Sequence, residues 1–151
     1  MWRAVLGAGI ALCCAPGLAG CGGGDERLSR AEFVQRATAV CARAEERIGE
    51  LAEPGSEDEL AAYAREARAI TEEGVADLRE LEPPEQLEQG FDRYLERADE
   101  VVDLLEELEG AAEEGDSEEA GRIAGQIGTS AEAQEAARAA GIAACEDEGE
   151  G

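Results

Sequence analysis

The chain has 151 residues, with 37 acidic side chains against 13 basic ones and a formal net charge of −24. Every basic residue is arginine and histidine is absent, which excludes chemistry built on an imidazole base or a lysine amine. The acidity also excludes a nucleic-acid partner, whose phosphates demand basic surface, and opposes a body lying flat on an anionic membrane. It reads either as solubility and self-repulsion or as attraction for a cationic partner.

From Met1, one positive charge at Arg3 precedes Ala4 to Ala15, an uncharged and mostly apolar run of signal-peptide length. The run is shorter than the about 20 residues that cross a bilayer. Pro16 and Gly17 break it, and Leu18-Ala19-Gly20-Cys21 follows. That tetrapeptide resembles the lipobox of bacterial lipoproteins. The resemblance implies cleavage before Cys21, loss of residues 1–20, a diacylglyceryl group on the Cys21 thiol, and residence on the extracytoplasmic face of the cell membrane. Two acyl chains anchor stably where one, at about 0.8 kcal/mol per buried CH₂, holds only marginally. The alternative is an ordinary secretory signal with an incidental cysteine.

Cys13 and Cys14 leave with the signal and Cys21 is acylated, so Cys41 and Cys145 remain. Two cysteines in an oxidising compartment read as one disulfide, the alternative being two unpaired thiols. It would close a loop of about 100 residues, worth up to about 4.7 kcal/mol in the chain-entropy account. So wide a spacing says nothing for a metal site.

Residues 21–28 form a Gly-rich tether spanning on the order of 15 Å, residues 29–145 the folded domain, and residues 146–151 an acidic tail. The first helix opens at Ser29 with a capping box to Glu32 and a Leu28–Phe33 staple. Its apolar stripe is Phe33, Ala37, Val40, Ala44, Ile48 and Leu51. Glu53-Pro54-Gly55 ends it. The second begins with a capping box of Ser56 and Glu59, and its stripe runs from Leu60 and Tyr63 to Leu78 and Leu81. Gly74, inside that stripe, costs about 1 kcal/mol relative to alanine and marks a close helix approach or a kink. Pro83-Pro84 separates it from the third, with Pro84 at a first helical position.

The third helix has the steadiest alternation, through Leu87, Phe91, Tyr94, Ala98, Val101, Leu105 and Leu108, the spacing of near-parallel packing. Gly110 to Gly115 is expected to be its fraying end and a turn. The fourth starts near Asp116 or Ser117 and faces Ile123 and Ile127 inward. Gly121, Gly125 and Gly128 thin it, and Thr129 with Glu132 would re-cap a second segment. Gly141 suits a C-cap. The expectation is all-α, an antiparallel four-helix up-down bundle with one disulfide stapling the weak last helix to the first.

Three stretches carry a second likeness: Ala31-Glu32-Phe33 leading to Cys41, then Leu81-Glu82-Pro83-Pro84-Glu85, then Phe91-Asp92-Arg93-Tyr94-Leu95, with the terminal Cys145. The chain resembles the small, secreted or lipid-anchored, all-helical proteins of high-GC actinobacteria. The resemblance implies a cysteine-paired helical bundle and transfers no functional residue.

Chemistry has few places to sit. Ser29, Ser56 and Ser117 stand at helix starts, and no base accompanies them. Cys41 and Cys145 lack the CxxC spacing of a redox pair. Paired carboxylates hydrolyse glycosides only across a cleft, and Phe33, Tyr63, Phe91 and Tyr94 all fall on core stripes. Calcium is the least poor metal, with Asp116 and Glu119 as weak oxygen ligands in the turn before the last helix. The sequence therefore points to a non-enzymatic, cofactor-free lipoprotein that touches an envelope protein or polymer, or alternatively to a ligand- or cation-binding lipoprotein using that acidic turn.

Overall fold

The computed structural model describes residues 27–128 and 131–142, with the backbone alone for 131–134. Among these residues the protein is all-helical: α1 (Arg30–Gly49), α2 (Glu57–Arg79), α3 (Glu85–Glu113), α4 (Ser117–Gly128) and α5 (Ala131–Ala140). Five helices replace the expected four. The break falls after Gly128, in the stretch that Gly121, Gly125 and Gly128 weaken as helix.

Local signals set most helix starts. Ser29 caps α1 and exchanges hydrogen bonds with Glu32, completing the capping box. The Ser29 hydroxyl and backbone N–H hold the Glu32 carboxyl below its usual range. At α2 the box is only half formed. Ser56 Oγ accepts the Glu59 N–H at 3.3 Å, but the Glu59 carboxylate turns to the Gly55 N–H at 2.7 Å. Pro84 is the N-cap of α3 rather than its first residue. That helix passes through Gly110 to Glu113 and buries Ala111 and Ala112, so the expected fraying there does not occur. It ends at Gly115, whose φ of 72° lets Gly115 N–H reach Ala112 O and Asp116 N–H reach Ala111 O. Gly141, at φ 75°, closes α5 in the same way through Arg138 O and Ala137 O.

Charged side chains set the register between neighbours. Arg43 and Arg47 of α1 reach Asp77 and Glu73 of α2, and Leu28 N–H donates to Glu82 O, so α1 and α2 run in opposite directions. Arg79 of α2 reaches Asp99 of α3 while Arg65 reaches Glu109 and Glu113, which makes that pair antiparallel too. Most of these pairs are exposed and worth roughly 1 kcal/mol or less each. They choose an alignment that burial then stabilises.

The apolar interior divides in two. Where α1 begins, Phe33 and Phe91 meet edge to face at 4.9 Å, an arrangement worth about 0.5–1.5 kcal/mol beyond burial. Ala37, Leu87, Ala137 and Ile142 close around them. At the opposite end Ala64, Leu108, Ala111, Ala120 and Ile123 join α2, α3 and α4. Thus α4 lies along the second half of α3, and α5 along the first.

The tightest approach is at Gly90 of α3. A Cβ there would stand 2.5 Å from the Ala139 carbonyl oxygen and 2.6 Å from its carbon. Gly74, expected to mark a close approach or a kink, marks no such approach. A Cβ on it would rest 3.6 Å from that of Ala44, an ordinary contact.

These two environments predict opposite outcomes for one chemical change. Gly90→Ala should lower unfolding stability by about 1–3 kcal/mol, because a backbone must move and the helix-propensity gain is smaller. Gly121→Ala meets nothing within 4 Å and should raise it by about 0.5–1 kcal/mol. Urea denaturation of both variants checks this. A neutral Gly90→Ala would mean that α5 does not lie against α3 as described.

Candidate functional site

Between the two apolar clusters the interior is under-filled. A groove of about 560 Å³ opens there. Its floor is α2, where Val75 and Leu78 are 4% and 3% exposed. Val40, Cys41, Ala44 and Ile48 of α1 form one wall, and Tyr94, Ala98 and Val101 of α3 the other. Ile127 and Gly128 bound it where α4 stops, and Glu45, Gly49 and Gly128 are exposed.

The cause lies in residue size and helix length. Ala44, Gly74 and Ala98 are small residues on the core stripes of α1, α2 and α3, and all three line the groove. α4 ends at this level. The groove has the size and mostly apolar lining of a ligand pocket between helices of a bundle.

Its polar groups are few. Thr71 Oγ1 donates to Ala67 O at 2.8 Å, a bond back along its own helix. Tyr94 Oη lies 3.8 Å from Cys41 Sγ. Burial, and secondarily the negative charge of Glu45, push the Tyr94 phenol up to about 12. The four aromatic residues among the described ones therefore sort by chemistry. Phe33 and Phe91 are fully interior, whereas Tyr63 and Tyr94 are half-buried and line the groove.

The residues singled out from sequence lie elsewhere. Asp116 Oδ1 accepts the Glu119 N–H at 3.1 Å and so caps α4. Glu119 is engaged by Arg122, with Nε donating at 2.8 Å, and this guanidinium holds the Glu119 carboxyl below its usual range. Both carboxylates thus have structural partners. Among the described residues no group of three or more His, Cys, Asp or Glu is gathered as a metal ion requires. Cys41 is 7% exposed, on the groove wall. Cys21 and Cys145 lie outside the described residues, as do Cys13, Cys14, Thr129 and the acidic tail. Among the described residues no helix is long and apolar enough to cross a membrane.

A second, smaller hollow of about 290 Å³ separates α3 from α5. It is edged by Arg93, Arg97, Glu96 and Glu135, charges of both signs. No protein-family model, curated protein or solved structure matches this chain.

The Tyr94 environment has a measurable pH signature. An unfolded tyrosine titrates near 10, so between about pH 10 and about 12 the folded protein holds a proton that the unfolded chain releases. Stability should be intact below pH 10 and fall as pH rises through that interval. In a near-ultraviolet absorbance titration, wild type should show a late phenolate phase that Tyr94→Phe removes. Persistence of that phase in the variant would contradict this placement of Tyr94.

Proposed function

We propose that the chain is a lipid-anchored protein of the extracytoplasmic membrane face, held there by Cys21, and that it acts by binding rather than by catalysis. The observation that carries the binding role is the groove, which has the size and apolar lining of a ligand site and is walled by three helices. The address rests on the sequence: an apolar leader, a Pro-Gly break, and the lipobox-like Leu18-Ala19-Gly20-Cys21. A short Gly-rich tether then keeps the domain close to the bilayer.

In this reading α4 and α5 act together as the fourth member of an antiparallel four-helix bundle. The support is their division of α3, with Ile123 packing beside Leu108 at one end and Ile142 beside Phe91 at the other. A Cys41–Cys145 disulfide would hold the arrangement closed. The support here is the burial of Cys41, 7% exposed, in the apolar cluster around Phe33 and Phe91. Ile142, three residues before Cys145, is fully buried in the cluster that contains Cys41. A disulfide sulfur has no proton, so Tyr94 Oη is then the donor in its contact with Cys41 Sγ.

The intact mass of protein extracted from host membranes tests the address and the staple together. The expected species starts at Cys21, carries a diacylglyceryl increment, and gains two hydrogens on reduction. A species without lipid would remove the anchor. A species unchanged by reduction would remove the disulfide.

A further inference from the structure

Arg27 and Leu28 lie against one corner of the fold. Leu28 N–H donates to Glu82 O at 3.1 Å, and Arg27 pairs with Glu88 at 3.0 Å. Glu82 lies between α2 and α3, and Glu88 in the first turn of α3. The stretch that leads back to Cys21 therefore leaves the domain beside the α2–α3 connection. Fully extended, the chain from Cys21 to Arg27 reaches about 20 Å.

That corner belongs to one end of the molecule, where the start of α1 and the end of α5 pack around Phe33 and Phe91. The other end holds the α1–α2 connection and the α3–α4 turn, and there Ser117 Oγ donates to the Glu57 carboxylate. With 29 residues in α3, at about 1.5 Å per residue, the two ends stand about 40 Å apart.

Charge is divided unequally between them. At the tether end, residues 27–36, 79–93 and 135–142 hold seven acidic side chains against six arginines. At the far end, residues 50–59 and 106–119 hold thirteen acidic side chains and no basic one. Arg65, Arg68 and Arg122 reach in from adjoining turns and meet Glu109, Glu113 and Glu119. An anionic lipid surface repels carboxylates within roughly a Debye length, about 8 Å in physiological salt. A domain lying on its side would carry the far-end carboxylates into that layer. A domain standing on its tether end keeps them outside it and turns nearly balanced charge toward the lipid.

We propose that the anchored protein stands end-on. Its bilayer-facing surface is the α2–α3 connection with the first two turns of α1, where Arg27, Arg30 and Arg36 are exposed to anionic headgroups. The acidic end points away from the membrane. This rests on the reading of Cys21 as a lipid anchor and adds an orientation to it.

Fluorescence quenching by a nitroxide-headgroup lipid tests the orientation. The one tryptophan of the sequence, Trp2, lies in the leader, so a tryptophan introduced into the mature chain reports alone. Gln86→Trp marks the tether end and Ala52→Trp the far end, both at exposed positions. The full chain, lipidated in its host, is bound to vesicles of phosphatidylcholine and phosphatidylglycerol that carry the quencher. Quenching should be severalfold stronger at Gln86→Trp than at Ala52→Trp. The contrast should shrink on phosphatidylcholine alone, and on the mixed vesicles when Arg30→Gln and Arg36→Gln are combined. Gln89→Trp and Glu53→Trp serve if circular dichroism shows a first variant unfolded.

Equal quenching at the two sites, or stronger quenching at Ala52→Trp, would overturn the end-on stance and leave the anchor standing. A contrast identical on both kinds of vesicle would overturn the role given to charge. Protein that fails to float with the vesicles, and whose mass lacks lipid, would overturn the anchor reading itself.

Discussion

The fold depends on how α3 is covered. It is the longest helix, and it meets α2 along one side and both α4 and α5 along another. The missing side chain at Gly90 lets the backbone of α5 settle against it near Ala139. That contact carries Ala137, Ala140 and Ile142 into the cluster around Phe33 and Phe91. At the other end Ala120 and Ile123 fix α4 beside Leu108. Two short helices seated at opposite ends of a long one form two apolar clusters rather than one continuous core. The groove is the space between these clusters.

The charge distribution fits this division. Arginines are scarce, and Arg43 and Arg47 of α1 and Arg79 of α2 are used across helix seams, where they fix alignment. Arg65 and Arg68 both reach Glu109, a carboxylate only 14% exposed. Such partly buried pairs matter more than their exposed neighbours, since removing one partner strands a charge away from water. The remaining acidic surface makes the molecule a general attractor for cations.

The first three helices were legible because their signals are local. Serine caps, an apolar residue every three or four positions, and Pro-Gly punctuation all act within a few residues of the structure they set. The weakness of the fourth was also legible, as three glycines in eight residues. Features that depend on a distant partner were not. Gly90 looks like any helical glycine until Ala139 is brought against it, while Gly74, expected to mark a close approach or a kink, has room for a methyl group. Nor does the alternation of α3 separate Phe91, which packs tightly, from Tyr94, which borders a void. The acidic turn at Asp116 read as a weak cation site although its contacts are local: Asp116 caps α4 and Glu119 holds Arg122, each three residues away. The groove itself is a deficit of volume, and no single residue announces it.

The apolar void lies between the two clusters. Xenon enters apolar cavities without needing a polar handle, so methyl NMR under xenon pressure reads the void directly. Shifts are expected to centre on the methyl groups of Val75, Val101, Ile48 and Ile127, leaving Ile123 and Ile142 in the two clusters unmoved. Shifts concentrated on Ile123 and Ile142, or none at the groove methyls, would contradict the account.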